Sequence, residues 1–205
     1  MKLRFAGLLL LFLLVGSAVQ ADSVTMTFTG VNGARGGGYY VSPYYGTMDG
    51  DPVILLCIDI ANRIKTGQTW EANLSTITNG SDLSLTRYGS LPNALSLYQQ
   101  AAWLIAQFPT HTNDYVNLQY ALWNLFNPNL APDTAGSNAW LALAAANYSS
   151  MNFSPFLVIT NLPPVTLTGQ VQEFIVVTPE PAPLTLLGTG LVGVAAMVRR
   201  RFRGD

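Results

Sequence analysis

Val53-Ile54-Leu55-Leu56-Cys57-Ile58-Asp59-Ile60 carries no charge before Asp59 and is built from β-branched and other apolar residues, so it reads as a buried strand. Outward from it, SVTMTF (23–28) alternates, with Val24, Met26 and Phe28 turned inward. YYVSPYYGTM (39–48), FLVIT (156–160) and VQEFIVV (171–177) are further strand segments. Between them the apolar period changes. Residues 93–107 (NALSLYQQAAWLIAQ) repeat apolar side chains at three and four, with Pro109 as a stop, and residues 114–126 (DYVNLQYALWNLF) do so before Pro128. Asn113 or Asp114 is the expected cap of that second helix, and a third is expected over 138–146, after the 132–137 loop. GARGGGYY (33–40) matches no phosphate loop and reads as a turn or bulge. The expected class is α+β: mainly an antiparallel β sandwich or barrel with a helical insertion at about 93–146, plus a C-terminal transmembrane helix.

The two ends have a different character. Lys2 and Arg4 precede the apolar stretch 8–15, and Val19-Gln20-Ala21 suits signal-peptidase recognition, so residues 1–21 read as an export signal and the mature start is placed at Asp22. At the other end, residues 182–198 hold no charged side chain and reach ~26 Å as a helix, enough to cross a hydrocarbon core barely. Arg199, Arg200, Arg201 and Arg203 follow directly, which keeps the tail cytoplasmic and places the preceding domain outside.

Pro179, Glu180 and Pro181, the short glycine-containing span 182–198 and the basic tail 199–205 together resemble the PEP-CTERM sorting signal of exported proteins in Gram-negative, polysaccharide-producing bacteria. The resemblance covers 179–205 and implies recognition by an exosortase, transient anchoring in the inner membrane, and delivery to the cell surface or beyond. It speaks of destination, not activity.

Residues 22–178 are then one exported domain with enough chain for its own core. Four basic residues (Arg35, Arg63, Lys65, Arg87) face nine acidic ones (Asp22, Asp49, Asp51, Asp59, Glu71, Asp82, Asp114, Asp133, Glu173), an excess that argues against nucleic acid as a partner.

Cys57 is the only cysteine in the sequence. In an oxidising compartment it cannot form an intramolecular disulfide, and it is inert, intermolecular or chemically committed elsewhere. LCID (56–59) and, 62 residues after the cysteine, the glutamine of LQYALW (118–123) resemble the paired motifs of bacterial Cys-Gln thioester domains, which are surface adhesin modules. Gln119, Ala121, Leu122 and Trp123 fit that family's Gln-x-Ala-aliphatic-Trp segment; Leu118 stands where it commonly has threonine. The resemblance implies a β scaffold with a helical insertion and an internal thioester between Cys57 and Gln119, formed with loss of ammonia. Asp59, Ala121 and Trp123 would make its environment. On a helix Gln119 shares a face with Val116 and Trp123, so an indole would screen the bond from water.

Other constellations are weaker. Cys57 and His111, with Asp59 or Asp114, supply the residue types of a cysteine hydrolase, but their spacing carries no signature. With one histidine and one cysteine no zinc cluster is spaced for binding, MDGDP (48–52) lacks most ligands of a calcium loop, and no metal or other cofactor is expected. Tyr39, Tyr40, Tyr44 and Tyr45 suit either sugar stacking or cross-strand packing. The resulting expectation is a non-enzymatic surface or matrix protein, either a thioester adhesin that acts on an extracellular polysaccharide or an amine-bearing surface, or a structural biofilm protein with no reactive bond.

Overall fold

The computed structural model describes residues 23–162 and 171–178. The signal segment 1–21, the sorting motif Pro179–Pro181, the span 182–198 and the basic tail fall outside these residues. Among the described residues, no helix is long and apolar enough to cross a membrane.

The chain opens with β1 (Ser23–Val31), whose alternating burial turns Val24, Met26 and Phe28 inward as their spacing predicts. A small hairpin follows, β2 (Arg35–Gly36) and β3 (Tyr39–Tyr40), and then β4 (Tyr44–Met48) and β5 (Asp51–Cys57). The glycine-rich stretch is thus the hairpin's turn. Gly37 and Gly38 sit at φ 55° and 86°, left-handed values that cost a residue with a Cβ. After β6 (Thr69–Thr76) come three helices, α1 (Ala94–Ile105), α2 (Tyr115–Phe126) and α3 (Ala135–Asn147), before the chain returns through β7 (Phe156–Asn161) and β8 (Phe174–Val177). All pairs in the main sheet are antiparallel, and the order β1-β4-β5-β8-β7-β6 closes on itself as a barrel. Closure leaves the main sheet without an edge strand. The fold is α+β, a six-stranded barrel with its helices inserted between β6 and β7.

Several boundaries differ from the sequence expectation, each for a local reason. The 39–48 segment is two strands, separated at Val41-Ser42-Pro43. The 53–60 run leaves the ladder at Cys57, because the Asp59 carboxylate accepts the backbone N–H of Ala61 at 2.9 Å and of Asn62 at 3.3 Å and turns the chain. Asp114 occupies the N-cap of α2 without capping it: its carboxylate accepts from Asn117 and from the Trp140 indole instead. Cap chemistry appears at α3, where Thr134 and Ser137 form a reciprocal capping box.

Helix α2 joins two apolar cores. Tyr120 and Trp123 face the barrel cluster with Met26, Tyr44, Leu55, Cys57 and Phe174; Leu118, Ala121 and Leu122 face the helical cluster with Tyr98, Leu104 and Ile105. The end of strand β5 divides the same way, Leu55 and Cys57 on one side and Leu56 on the other, which explains the apolar residues at 55–57; Ile54, expected inside, is 56% exposed. Each fully buried large aliphatic contributes about 2 kcal/mol of hydrophobic stabilisation, so the helices are held to the barrel by packing rather than by propensity.

Candidate functional site

The end of β5 and the middle of α2 meet where the two cores adjoin. Cys57 and Gln119 are both completely buried there. The Gln119 carboxamide lies against the cysteine backbone: its Nε2 donates to the Cys57 carbonyl at 2.7 Å, and its Oε1 accepts the Ser42 N–H at 2.8 Å. Ser42 completes the clamp, for its Oγ accepts the Cys57 N–H at 2.9 Å. Three segments distant in sequence are thereby tied together at one point: the β3–β4 link, the end of β5 and α2.

The thiol is held in its protonated form. Burial pushes the Cys57 pKa up to about 12, the nearby Asp59 charge adds to this, and the Trp123 indole, the Asp59 backbone and Arg87 only partly oppose it. The Sγ–H donates to the Asp59 carbonyl at 3.3 Å. On the same carbonyl, at 3.1 Å, lands Nε2 of Gln172. Trp123, with 1% of its surface exposed, hydrogen-bonds toward the thiol through its side chain, and its buried Nε1–H has no other partner among the described residues. Tyr39 packs edge-on against this indole at 5.5 Å and Tyr120 stacks on it at 6.1 Å. A wall of aromatic rings thus stands beside the sulfur.

Immediately beside the clamp is a second buried polar cluster. Asp59 pairs with Arg87 Nε at 3.3 Å, both side chains having no exposed surface, and accepts the Tyr88 hydroxyl at 3.0 Å. Arg87 Nη2 donates to the Val171 carbonyl and to Asn161. Glu173, also fully buried, accepts the Arg87 backbone N–H at 2.7 Å and the hydroxyls of Tyr98 at 2.8 Å and Thr160 at 2.5 Å. Burial raises its pKa to about 7 despite these donors and the Arg87 charge.

Of the residues singled out from sequence, Cys57, Gln119, Asp59 and Trp123 are brought together. Asp59 acts through its backbone carbonyl toward the thiol and through its carboxylate toward Arg87. Ala121 lies on the other side of α2, in the helical core, where its small side chain is completely buried. Leu118 is buried beside it, which accounts for an apolar residue at a position where the thioester family commonly has threonine. His111 is exposed and packs on Trp140 at 5.0 Å, with hydrogen bonds to Gln107 and Thr110. None of its partners belongs to the shell around Cys57. Asp49 and Gly50 form the β4–β5 turn, and no group of three or more His, Cys, Asp or Glu among the described residues is arranged to hold a metal ion.

Sequence reasoning missed Ser42, Gln172 and the Arg87–Glu173 pair. A charged residue inside the apolar run VQEFIVV was a signal for Glu173; nothing local marks Ser42, whose role exists only once β4, β5 and α2 are assembled. No protein-family model matches the chain, and neither curated proteins nor solved structures yield a similar protein.

Proposed function

We propose that this is an exported surface or matrix protein whose domain forms an internal thioester between Cys57 and Gln119 and uses it to attach covalently to a surface or polymer. The observation that carries this is the clamp itself: the Gln119 carboxamide is fixed against Cys57, with its oxygen accepting a backbone N–H from Ser42. That N–H is placed to stabilise the charge that develops on the carbonyl oxygen during attack. The thiol sulfur adds to Gln119 Cδ, the C–N bond breaks, and the thiol proton leaves with the amide nitrogen as ammonia. Aromatic walls and full burial protect the product from water. A later nucleophile takes the acyl group, and the sulfur recovers a proton.

The targeting half of the reading rests on residues 179–205, similar to a PEP-CTERM signal: an exosortase is the partner that would process the inner-membrane form, after signal peptidase removes residues 1–21. A second reading is favoured by the completeness of the hydrogen bonding. With both Gln119 amide atoms and the thiol partnered, the clamp also works as a neutral, non-covalent tie in a structural biofilm protein.

Amine trapping separates the two. Methylamine added to the native protein is expected to appear on Gln119 in peptide mass spectra and to make Cys57 alkylatable after denaturation; an unmodified Gln119 with Cys57 alkylatable from the start supports the tie. Replacement of Glu180 is expected to leave an unprocessed inner-membrane form, and normal processing of that variant removes the exosortase step.

A further inference from the structure

A cavity of about 230 Å³ opens beside Trp123 and Gln172, which neighbour the clamp. Its walls include Tyr39, Tyr44 and Trp123, with Arg63, Thr66 and Gln172 as polar contributors. Three of its lining residues adjoin the buried thiol: Gln172 shares the Asp59 carbonyl with it, the Trp123 side chain hydrogen-bonds toward it, and Tyr44 interacts with it electrostatically. Among the described residues, Arg63 is the single charged side chain of the lining. It is exposed, its guanidinium lies 5.5 Å from the centre of the Tyr39 ring, and it makes no hydrogen bond or salt bridge to a described residue. The indole N–H of Trp123 in the same wall has no partner among the described residues beyond its contact with the Cys57 thiol.

These features select a ligand. Flat aromatic faces accept the C–H face of a sugar ring, and fixed donors orient its hydroxyls. A guanidinium whose one described contact is a tyrosine ring, with no carboxylate among the described residues of the lining, attracts a carboxylate and repels a protonated amine such as a lysine side chain at neutral pH. We propose that the cavity is a subsite for a carboxylate-bearing sugar unit, a uronate of a polysaccharide, and that the nucleophile delivered to the site is one of its hydroxyls. The capture step rests on the thioester reading; the binding step does not. In capture, the sugar oxygen attacks Gln119 Cδ, the C–S bond breaks with its electron pair staying on sulfur, and the hydroxyl proton passes to that sulfur. The products are an ester on the Gln119 side chain and a free Cys57 thiol.

The test uses the purified full-length protein and its Cys57→Ala and Arg63→Gln variants, titrated with a glucuronate oligomer, a glucose oligomer of equal length, Nα-acetyl-lysine amide and a short polyglutamate peptide. Expected is uronate binding by both the wild type and Cys57→Ala at least about tenfold tighter than the glucose oligomer, with the preference lost in Arg63→Gln. Wild type alone should retain the uronate oligomer after denaturation, through Gln119. Equal affinity for acidic and neutral sugars, an Arg63→Gln variant that keeps the preference, or tighter binding of the lysine amide or of the peptide overturns the subsite. Uronate binding by Cys57→Ala with no ammonia lost from the wild type supports the subsite and retires the thioester. Loss of ammonia with no retained sugar overturns hydroxyl capture.

Discussion

Two buried polar clusters sit side by side at the end of the barrel, and they are built in opposite ways. The Ser42–Cys57–Gln119 clamp is made of neutral groups, each meeting a partner in a single small exchange of hydrogen bonds. The Asp59–Arg87–Glu173 cluster pairs one cation with the Asp59 carboxylate and adds the Glu173 carboxyl on the Arg87 backbone N–H; tyrosine and threonine hydroxyls serve the two acids, while Arg87 Nη1 has no hydrogen-bond partner among the described residues. Charges taken out of water are costly unless every partner is present, so the ionic cluster fixes where β5, β8 and the 83–88 segment go. A neutral clamp costs little to leave, and its thiol and amide keep their chemistry. On the proposed reading, architecture falls to the charged cluster and reactivity to the uncharged one.

That division breaks if the wrong cluster dominates stability. Arg87→Met leaves Asp59 buried without its counter-ion and is expected to destabilise the fold by about 3–5 kcal/mol in chemical denaturation. A loss under 1 kcal/mol would show that the ion pair is not the organising feature.

The same cluster sets a pH dependence. Glu173 holds a proton in the folded chain up to about pH 7, whereas a carboxyl with the ordinary value of 4.5 has released it once unfolded. Folding is therefore favoured by this proton, and the benefit is lost as pH rises from about 4.5 to about 7, on the order of 3 kcal/mol in all. Denaturation midpoints measured across that window should fall with rising pH, and Glu173→Gln should flatten the slope. A stability that instead rises over the same interval for Glu173 alone, as the difference between wild type and variant, contradicts the assignment.

The clamp should matter less to stability. Ser42→Ala removes the acceptor of the Cys57 N–H and keeps the backbone N–H that holds Gln119; a cost of about 1–2 kcal/mol is expected, with Gln119 still able to react with methylamine. At the edge of the site, Gln172→Ala removes a side chain that lines the cavity and shares the Asp59 carbonyl with the thiol. It should speed opening of the proposed bond by a small nucleophile several-fold, measured by the rate at which Cys57 becomes alkylatable, at a stability cost of about 1 kcal/mol for the lost hydrogen bond.

What was legible in the sequence follows the range of the physics. Alternation in 23–28 and the three-and-four spacing in 93–107 and 114–126 are local signals, and β1, α1 and α2 lie where they point. TWEANLST escaped notice as β6 because Glu71 and Asn73 interrupt its apolar character; they are tolerated since β6 lies between β1 and β7, where pairing supplies what the side chains do not. The proximity of Cys57 to Gln119 was approached only through motif likeness. Spacing along the chain could not yield Ser42, Gln172 or Arg87, because each meets the site through a contact created by barrel closure.

The central claim is a covalent bond where the clamp now holds its two partners, and the intact mass of freshly purified protein, kept free of amines, tests it most directly. The expected mass is lower than that of the processed sequence by one ammonia, with Cys57 resisting alkylation on unfolding and both signatures absent from Cys57→Ala and Gln119→Ala. A mass equal to the sequence, with Cys57 fully alkylated once the chain is denatured, would contradict it.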